Sequence, residues 1–328
     1  MEIKVAFRLD ANSKVGFGHI MRCIALAQAF EKQNIAPWFL VFDTEAVKIL
    51  KVHACKYKLL SREENEISQI KRLVSDEKIS LLIVDTYEWG ESEYKEFCGL
   101  VKVIVFDGIE KYPSNVWGVI NYSSTASIKQ YEERYLNTDV NLFVDKKYVP
   151  IRLAFFETKP RKRLKCSKVL ITLGGTKQTD YYARIVNRIF EVHSDITWYI
   201  TCGDIILDDK CLDKNILPVK ETYDLSKLGN EMDLVICSAG TIVYELAAMQ
   251  VPTVAFAMVE NQMVNCKANP NMKWVGRLDV DCSLEKLIDL AVDLNEKEDK
   301  YSLWASKCES YKPENGAEKL VSEIIKCV

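Results

Sequence analysis

Glycine is scarce in this chain, 13 of 328 residues, or about 4% where about 7% is usual. Histidine is scarcer: only His19, His53 and His193 occur. None of the three stands at ligand spacing from another histidine or from a cysteine cluster, so no metal centre is expected. The 11 cysteines form no CxxC pair, are odd in number and are spread from Cys23 to Cys327. That pattern argues against a disulfide scaffold and for reduced, mostly buried thiols in a cytoplasmic protein. No apolar stretch approaches the roughly 18 residues that a membrane helix needs, and nothing at the N-terminus reads as an export signal. Neither sign of charge dominates. Lys and Arg number 44 and Asp and Glu 47, a net −3 with no basic block, so neither nucleic acid nor an anionic membrane is an expected partner. GxGxxG and the P-loop pattern are both missing, which excludes a typical dinucleotide fingerprint and a P-loop.

The chain does have enough apolar side chain, 48% of residues, for two cores, as its length suggests at roughly 150 residues per domain. Short β-branched runs at residues 3–8, 38–42, 79–85 and 101–106 alternate with amphipathic stretches at 19–33 and 63–75. The rhythm restarts with strands at 168–173, 197–202, 234–237 and 253–257 and helices at 181–192 and 241–249. Such alternation predicts parallel sheets covered on both faces. The expected fold is α/β, with two Rossmann-like doubly wound domains, residues 1–156 and 166–328, facing a cleft. The charged, proline-containing segment 157–165 has the composition of a linker. Residues 315–328 read as an amphipathic helix that can pack on either half.

The few glycines cluster where strands turn into helices: Gly16 and Gly18 after the first strand, Gly174 and Gly175 after the strand at 168–173, and Gly240 before the helix at 241–249. A βα turn can need glycine for backbone reasons alone. In parallel sheets, however, ligands bind beyond the carboxyl ends of the strands, where helix N-termini offer free N–H groups, so three such loops point to a phosphate-bearing ligand. His19 follows the first pair. At a helix start an imidazole is held neutral and can act as a general base. In the second half, Ser238-Ala-Gly-Thr241 leads to Glu245, one helical turn on, suited to accept ribose hydroxyls. Glu260, Asn261 and Gln262 follow a strand and can hydrogen-bond a sugar or a base. Asp85 and Asp107 end strands of the first half and are candidates to meet substrate or assist proton transfer.

Taken together, FRLD (7–10), GFGHIMRCIALA (16–27), TLGG (172–175), CSAGTIVYE (237–245), ENQ (260–262) and NGA (315–317) resemble the PseG family, the UDP-sugar hydrolases of pseudaminic acid biosynthesis. The likeness spans nearly the whole chain. GFGHxxRCxALA is its specific part, while the GG and AGTxxxE parts are shared with the wider GT-B superfamily, MurG-type transferases included. The resemblance implies metal-independent hydrolysis of UDP-2,4-diacetamido-2,4,6-trideoxy-β-L-altropyranose to UDP and free sugar, with inversion and without a cofactor. His19 would activate water, with Asp10 and Tyr87 beside it. Gly16, Gly18, Arg22 and Asp85 would contact substrate in the first half. In the second, Gly174, Gly175, Ser238, Gly240, Thr241, Glu245, Asn261 and Gln262 would do so, and a monomer is expected. Two departures, Asp107-Gly108 where the family has Asp-Asp and Arg152-Leu-Ala-Phe155 where it has an Arg-Pro-Glu-Phe-like segment, keep a different UDP-diamino-sugar open. A GT-B glycosyltransferase using a UDP-amino-sugar donor and a non-catalytic nucleotide-sugar sensor are the competing functions.

Overall fold

The computed structural model describes residues 3–12, 15–174, 179–201, 210–220 and 224–328. It divides into two compact units, residues 1–152 with 315–328, and residues 153–314. The first unit holds a seven-stranded sheet of β1 (Val5–Leu9), β2 (Trp38–Val41), β3 (Lys56–Leu59), β4 (Leu81–Asp85), β5 (Lys102–Phe106), β6 (Gly118–Asn121) and β7 (Asn141–Val144). Its order is β3-β2-β1-β4-β5-β6-β7 and every pairing is parallel. Strands buried on both faces must be apolar throughout, and β1 and β4 are buried at every position. Phe7 of β1 packs between Phe39, stacked at 5.0 Å, and Phe30 of the helix Gly18–Glu31, edge-on at 6.3 Å. At the edge, β3 exposes Lys56 and Lys58, and such lysines discourage pairing with a further strand.

The second unit holds β8 (Lys168–Thr172), β9 (Thr197–Thr201), β10 (Ile216–Val219), β11 (Leu234–Ser238), β12 (Thr253–Ala257) and β13 (Lys273–Arg277). They are again parallel, in the order β10-β9-β8-β11-β12-β13. In both sheets the order of strand addition therefore reverses between the first and fourth strands, the point at which open α/β sheets bind ligands. The core of this unit forms around Val169, Ile171, Trp198, Ile236 and Phe256 of the sheet and Leu287, Ile288 and Ala291 of the helix Leu284–Glu296.

The last helix, Gly316–Cys327, packs on the first unit. Asn315 caps it by accepting from Ala317 N at 3.1 Å, and Ala317, Leu320, Val321 and Ile324 form its buried face. Glu323 accepts from the Tyr148 hydroxyl and Glu318 pairs with Lys32. The segment 157–165, read from composition as a linker, is not a free tether. Arg163 is 2% exposed and donates to the carbonyls of Met232 (2.9 Å), Arg161 (3.0 Å), Asn230 (3.1 Å) and Gln250 (3.4 Å). A guanidinium with its five donors can close several chain ends at once, which a count of apolar residues does not register. Ten cysteines are free thiols, five of them buried; Cys202 lies outside the described residues. Among the described residues no helix is long and apolar enough to cross a membrane.

Candidate active site

Strand register explains what meets at the switch point of the first unit. Leu9 pairs with Asp85, so the next residues, Asp10 and Thr86, leave the sheet side by side. The Thr86 hydroxyl donates to Asp10 Oδ2, and Arg8 Nη1 donates to Asp10 Oδ1 at 2.7 Å. Arg8 is fully buried, also bonded to Glu66, with its guanidinium 5.1 Å from the Phe42 ring. Asp10 thus stays near the surface of a site whose supports lie beneath it. Thr86 and Arg8 escape sequence reading, because one looks like a turn residue and the other like a lone charge in an apolar strand.

Beyond Asp10 the chain turns through Gly16, whose φ of +84° favours glycine and whose N–H donates to Asn12 O at 2.8 Å. The helix then begins at Gly18 without a side-chain cap. A Cβ at Gly16 or Gly18 would meet nothing within 4 Å, so both glycines border open space. His19, in the first turn, is 7% exposed, with Tyr87 edge-on at 4.9 Å and itself 39% exposed. The His19 Nδ1 is buried with no hydrogen-bond partner in good geometry; Asp85 Oδ1 lies 3.8 Å away. Burial is the main force lowering the His19 pKa below its ordinary 6.5, aided by Arg22 and opposed by Asp85 and Asp10. Burial therefore favours the neutral ring.

Arg22 and Asp85, both expected at substrate, are bonded to each other. Arg22 Nε donates to Asp85 Oδ2 at 2.6 Å and Nη2 to Oδ1, a planar two-pronged match. Arg22 Nη1 reaches the Tyr122 hydroxyl at 3.1 Å, and its guanidinium lies over the Phe106 ring at 4.7 Å. Burial would raise the Asp85 pKa, yet Arg22 and His19 hold it low. Asp107 departs from its expected role at the crevice. Its carboxylate is 2% exposed and accepts from Lys111 N (2.7 Å), Tyr112 N (3.0 Å) and the Tyr131 hydroxyl (2.9 Å). It secures a loop in which Glu110 and Tyr112 have φ of +56° and +53°, a conformation that costs about 1–2 kcal/mol per residue.

The second unit repeats the geometry. Cys237 pairs with Thr172, which sets Leu173 level with Ser238 and Gly174 one residue beyond. Gly174 has φ +87°, and a Cβ on it would sit 3.2 Å from Ser238 Oγ. Gly240 N donates to Ser238 O at 2.8 Å, and a Cβ at Gly240 would meet nothing within 4 Å. Thr241 precedes the helix Ile242–Ala248 without a side-chain cap, and Glu245 is buried in its first turn. Gly175 lies outside the described residues. Gln262 Oε1 accepts from Met258 N at 2.8 Å and Glu260 pairs with Arg277 at 3.1 Å, which leaves Asn261 exposed beside them. Asn265, absent from the sequence expectations, accepts from the Tyr244 hydroxyl at 2.9 Å and donates to Ala239 O at 2.8 Å, bracing the turn at Gly240. Among the described residues no cluster of His, Cys, Asp and Glu is arranged to hold a metal.

No family model matches the chain. It is 26% identical over 268 residues to the UDP-2,4-diacetamido-2,4,6-trideoxy-beta-L-altropyranose hydrolase of Campylobacter jejuni, covering 79% of this chain and 93% of that protein. It is 20% identical over 276 residues to the uncharacterized protein MJ1062 of Methanocaldococcus jannaschii, with 79% of this chain aligned but only 57% of that longer protein. The crystal structure of MurG from Acinetobacter baumannii superposes with a TM-score of 0.62 at 16% identity, covering 98% of this chain and 99% of MurG. Two parallel sheets whose first six strands follow the same order, together with these likenesses, make the chain a GT-B-fold protein of PseG-like sequence.

Proposed function

We propose that this protein hydrolyses a UDP-linked diacetamido-trideoxyhexose, with His19 as the general base. The observation that carries the reading is His19 itself: a buried imidazole at the switch point of the first sheet, its pKa lowered by burial, beside Asp10, Asp85 and Tyr87. The relative from Campylobacter jejuni, named for hydrolysis of such a nucleotide sugar, supports the substrate class. His19 takes a proton from water while the water oxygen bonds to the anomeric carbon. The bond from that carbon to the β-phosphate oxygen breaks, its electron pair leaves with UDP, and attack opposite the leaving group inverts the centre. Backbone N–H groups around Gly174, Gly240 and Thr241 would receive the diphosphate and stabilise the charge it gains. Glu245 is assigned to the ribose.

The test is proton NMR of UDP-2,4-diacetamido-2,4,6-trideoxy-β-L-altropyranose with purified protein and a chelator, following the anomeric signal. UDP and a free sugar of opposite initial configuration are expected, with turnover falling at least about 100-fold in His19→Ala, in line with the usual contribution of a general base. Full activity in that variant refutes the assignment. Sugar transfer that depends on an added acceptor, with negligible release to water, would move the protein to the transferases.

A further inference from the structure

His19 is faced by charged and titratable groups from every element around it. Arg22 comes from its own helix, Asp10 from beyond β1, and Asp85 and Tyr87 from the end of β4; behind them Cys23 meets Asp85 and Tyr122 meets Arg22. Both carboxylates already hold a guanidinium, Asp10 that of Arg8 and Asp85 that of Arg22. The second pair is the one that touches the base, and it is fixed from three sides: by its two-pronged contact, by the Tyr122 hydroxyl and by the Phe106 ring. Asp85 Oδ2 also accepts from Cys23 Sγ at 3.7 Å, which leaves Oδ1 3.8 Å from His19 Nδ1, beyond hydrogen-bond length.

A bare buried carboxylate at that position would draw a proton onto the imidazole and leave it unable to accept another at neutral pH. A carboxylate carrying an arginine fork still favours the tautomer with its hydrogen on Nδ1, while its pull on a second proton is mostly cancelled. We propose that Arg22 is a positioning residue for His19: by occupying both oxygens of Asp85 it lets that carboxylate orient the ring without charging it, leaving Nε2 free to take a proton. This rests on the reading of His19 as the base. When His19 is protonated during turnover, Nδ1–H needs to approach Asp85 by about 1 Å to form a charge-assisted hydrogen bond.

The proposal makes opposite predictions for the two partners. In an NMR titration of the histidine Cε1–H signals, with His19 identified by its loss in His19→Gln, Arg22→Gln should raise the His19 pKa by about one unit, the lower end of what a charge a few ångströms away produces. Asp85→Asn should lower it, and the double variant, an uncharged amide pair, should return it to within about half a unit of wild type. The acid limb of turnover should move with it, tenfold in rate per unit at low pH. If Arg22→Gln fails to fold, Asp85→Asn and the double variant still decide the matter, since only coupling through charge separates them. An Arg22→Gln protein with an unchanged or lowered His19 pKa, or a double variant matching Asp85→Asn, overturns the proposal. The titration needs no substrate. The expected pattern without turnover of any nucleotide sugar would therefore sink the proposed reaction and leave the coupling of Arg22, Asp85 and His19 established.

Discussion

Gly316→Ala is expected to loosen the last helix from the first unit. A Cβ at Gly316 would lie under 3.0 Å from Val149 O, Val149 N and Tyr148 C. All three are backbone atoms, so no flexible side-chain end can swing aside. Alanine is the better helix former by up to about 1 kcal/mol, but forcing a methyl into a packed contact costs about 1–3 kcal/mol, and contacts this short belong at the upper end. The net loss should be about 2 kcal/mol. For a unit of this size that lowers the melting temperature by roughly 4–8 °C. Gly18→Ala is the matched control. It changes the first residue of a helix too, but a Cβ there meets nothing within 4 Å, so only the propensity gain remains and the melting temperature should hold or rise slightly. Differential scanning calorimetry of both variants reads the difference. A Gly316→Ala protein that melts at or above wild type would refute the close docking of the helix on residues 148–149.

Arg163→Met should cost about 4 kcal/mol in urea unfolding, because four carbonyls lose a buried donor at roughly 1 kcal/mol each; a loss under about 1 kcal/mol would return segment 157–165 to linker status. The acid limb of kcat/KM should have its midpoint below 6.5, the ordinary histidine value from which burial lowers His19. The sign is that of a base active when deprotonated, so activity is full above that midpoint and falls as pH drops through it; a midpoint near 7.5 would contradict the buried neutral ring. UDP should raise the melting temperature, at 100 times its Kd by the equivalent of about 2.7 kcal/mol. Gly174→Ala should lower stability by about 1–2 kcal/mol through its left-handed φ and shrink that UDP effect. An unchanged melting temperature with an undiminished UDP shift would place the nucleotide elsewhere.

Much of the architecture was readable from periodicity. The runs at 79–85 and 253–257 became β4 and β12, and the stretch at 181–192 became the helix Thr179–Glu191. These elements are buried on the faces that their apolar residues define, so pattern and structure coincide. The edge strand β3, LYS-TYR-LYS-LEU in sequence, did not show, because two of its four residues are exposed lysines and an edge strand need not be apolar. The buried Arg163 was hidden for the opposite reason. Its charge reads as solvated until the chain ends that it bonds are brought around it.

At the site, the amino-acid sequence by itself determined the local chemistry: glycines at strand–helix turns, an imidazole in a first helical turn, and acidic residues at strand ends. Those depend on neighbours within a few positions, and local backbone geometry sets them. Only the tertiary structure decided which of those groups stay available. Asp107 is consumed by its own loop, and Arg22 and Asp85, 63 positions apart, close on each other. Asp10 is held by Arg8 and Thr86 while His19 keeps an unpartnered nitrogen. Parallel register is the physical reason. Aligning β1 with β4 residue by residue brings together groups that the chain separates by about a quarter of its length, and burial then fixes which of them carry charge.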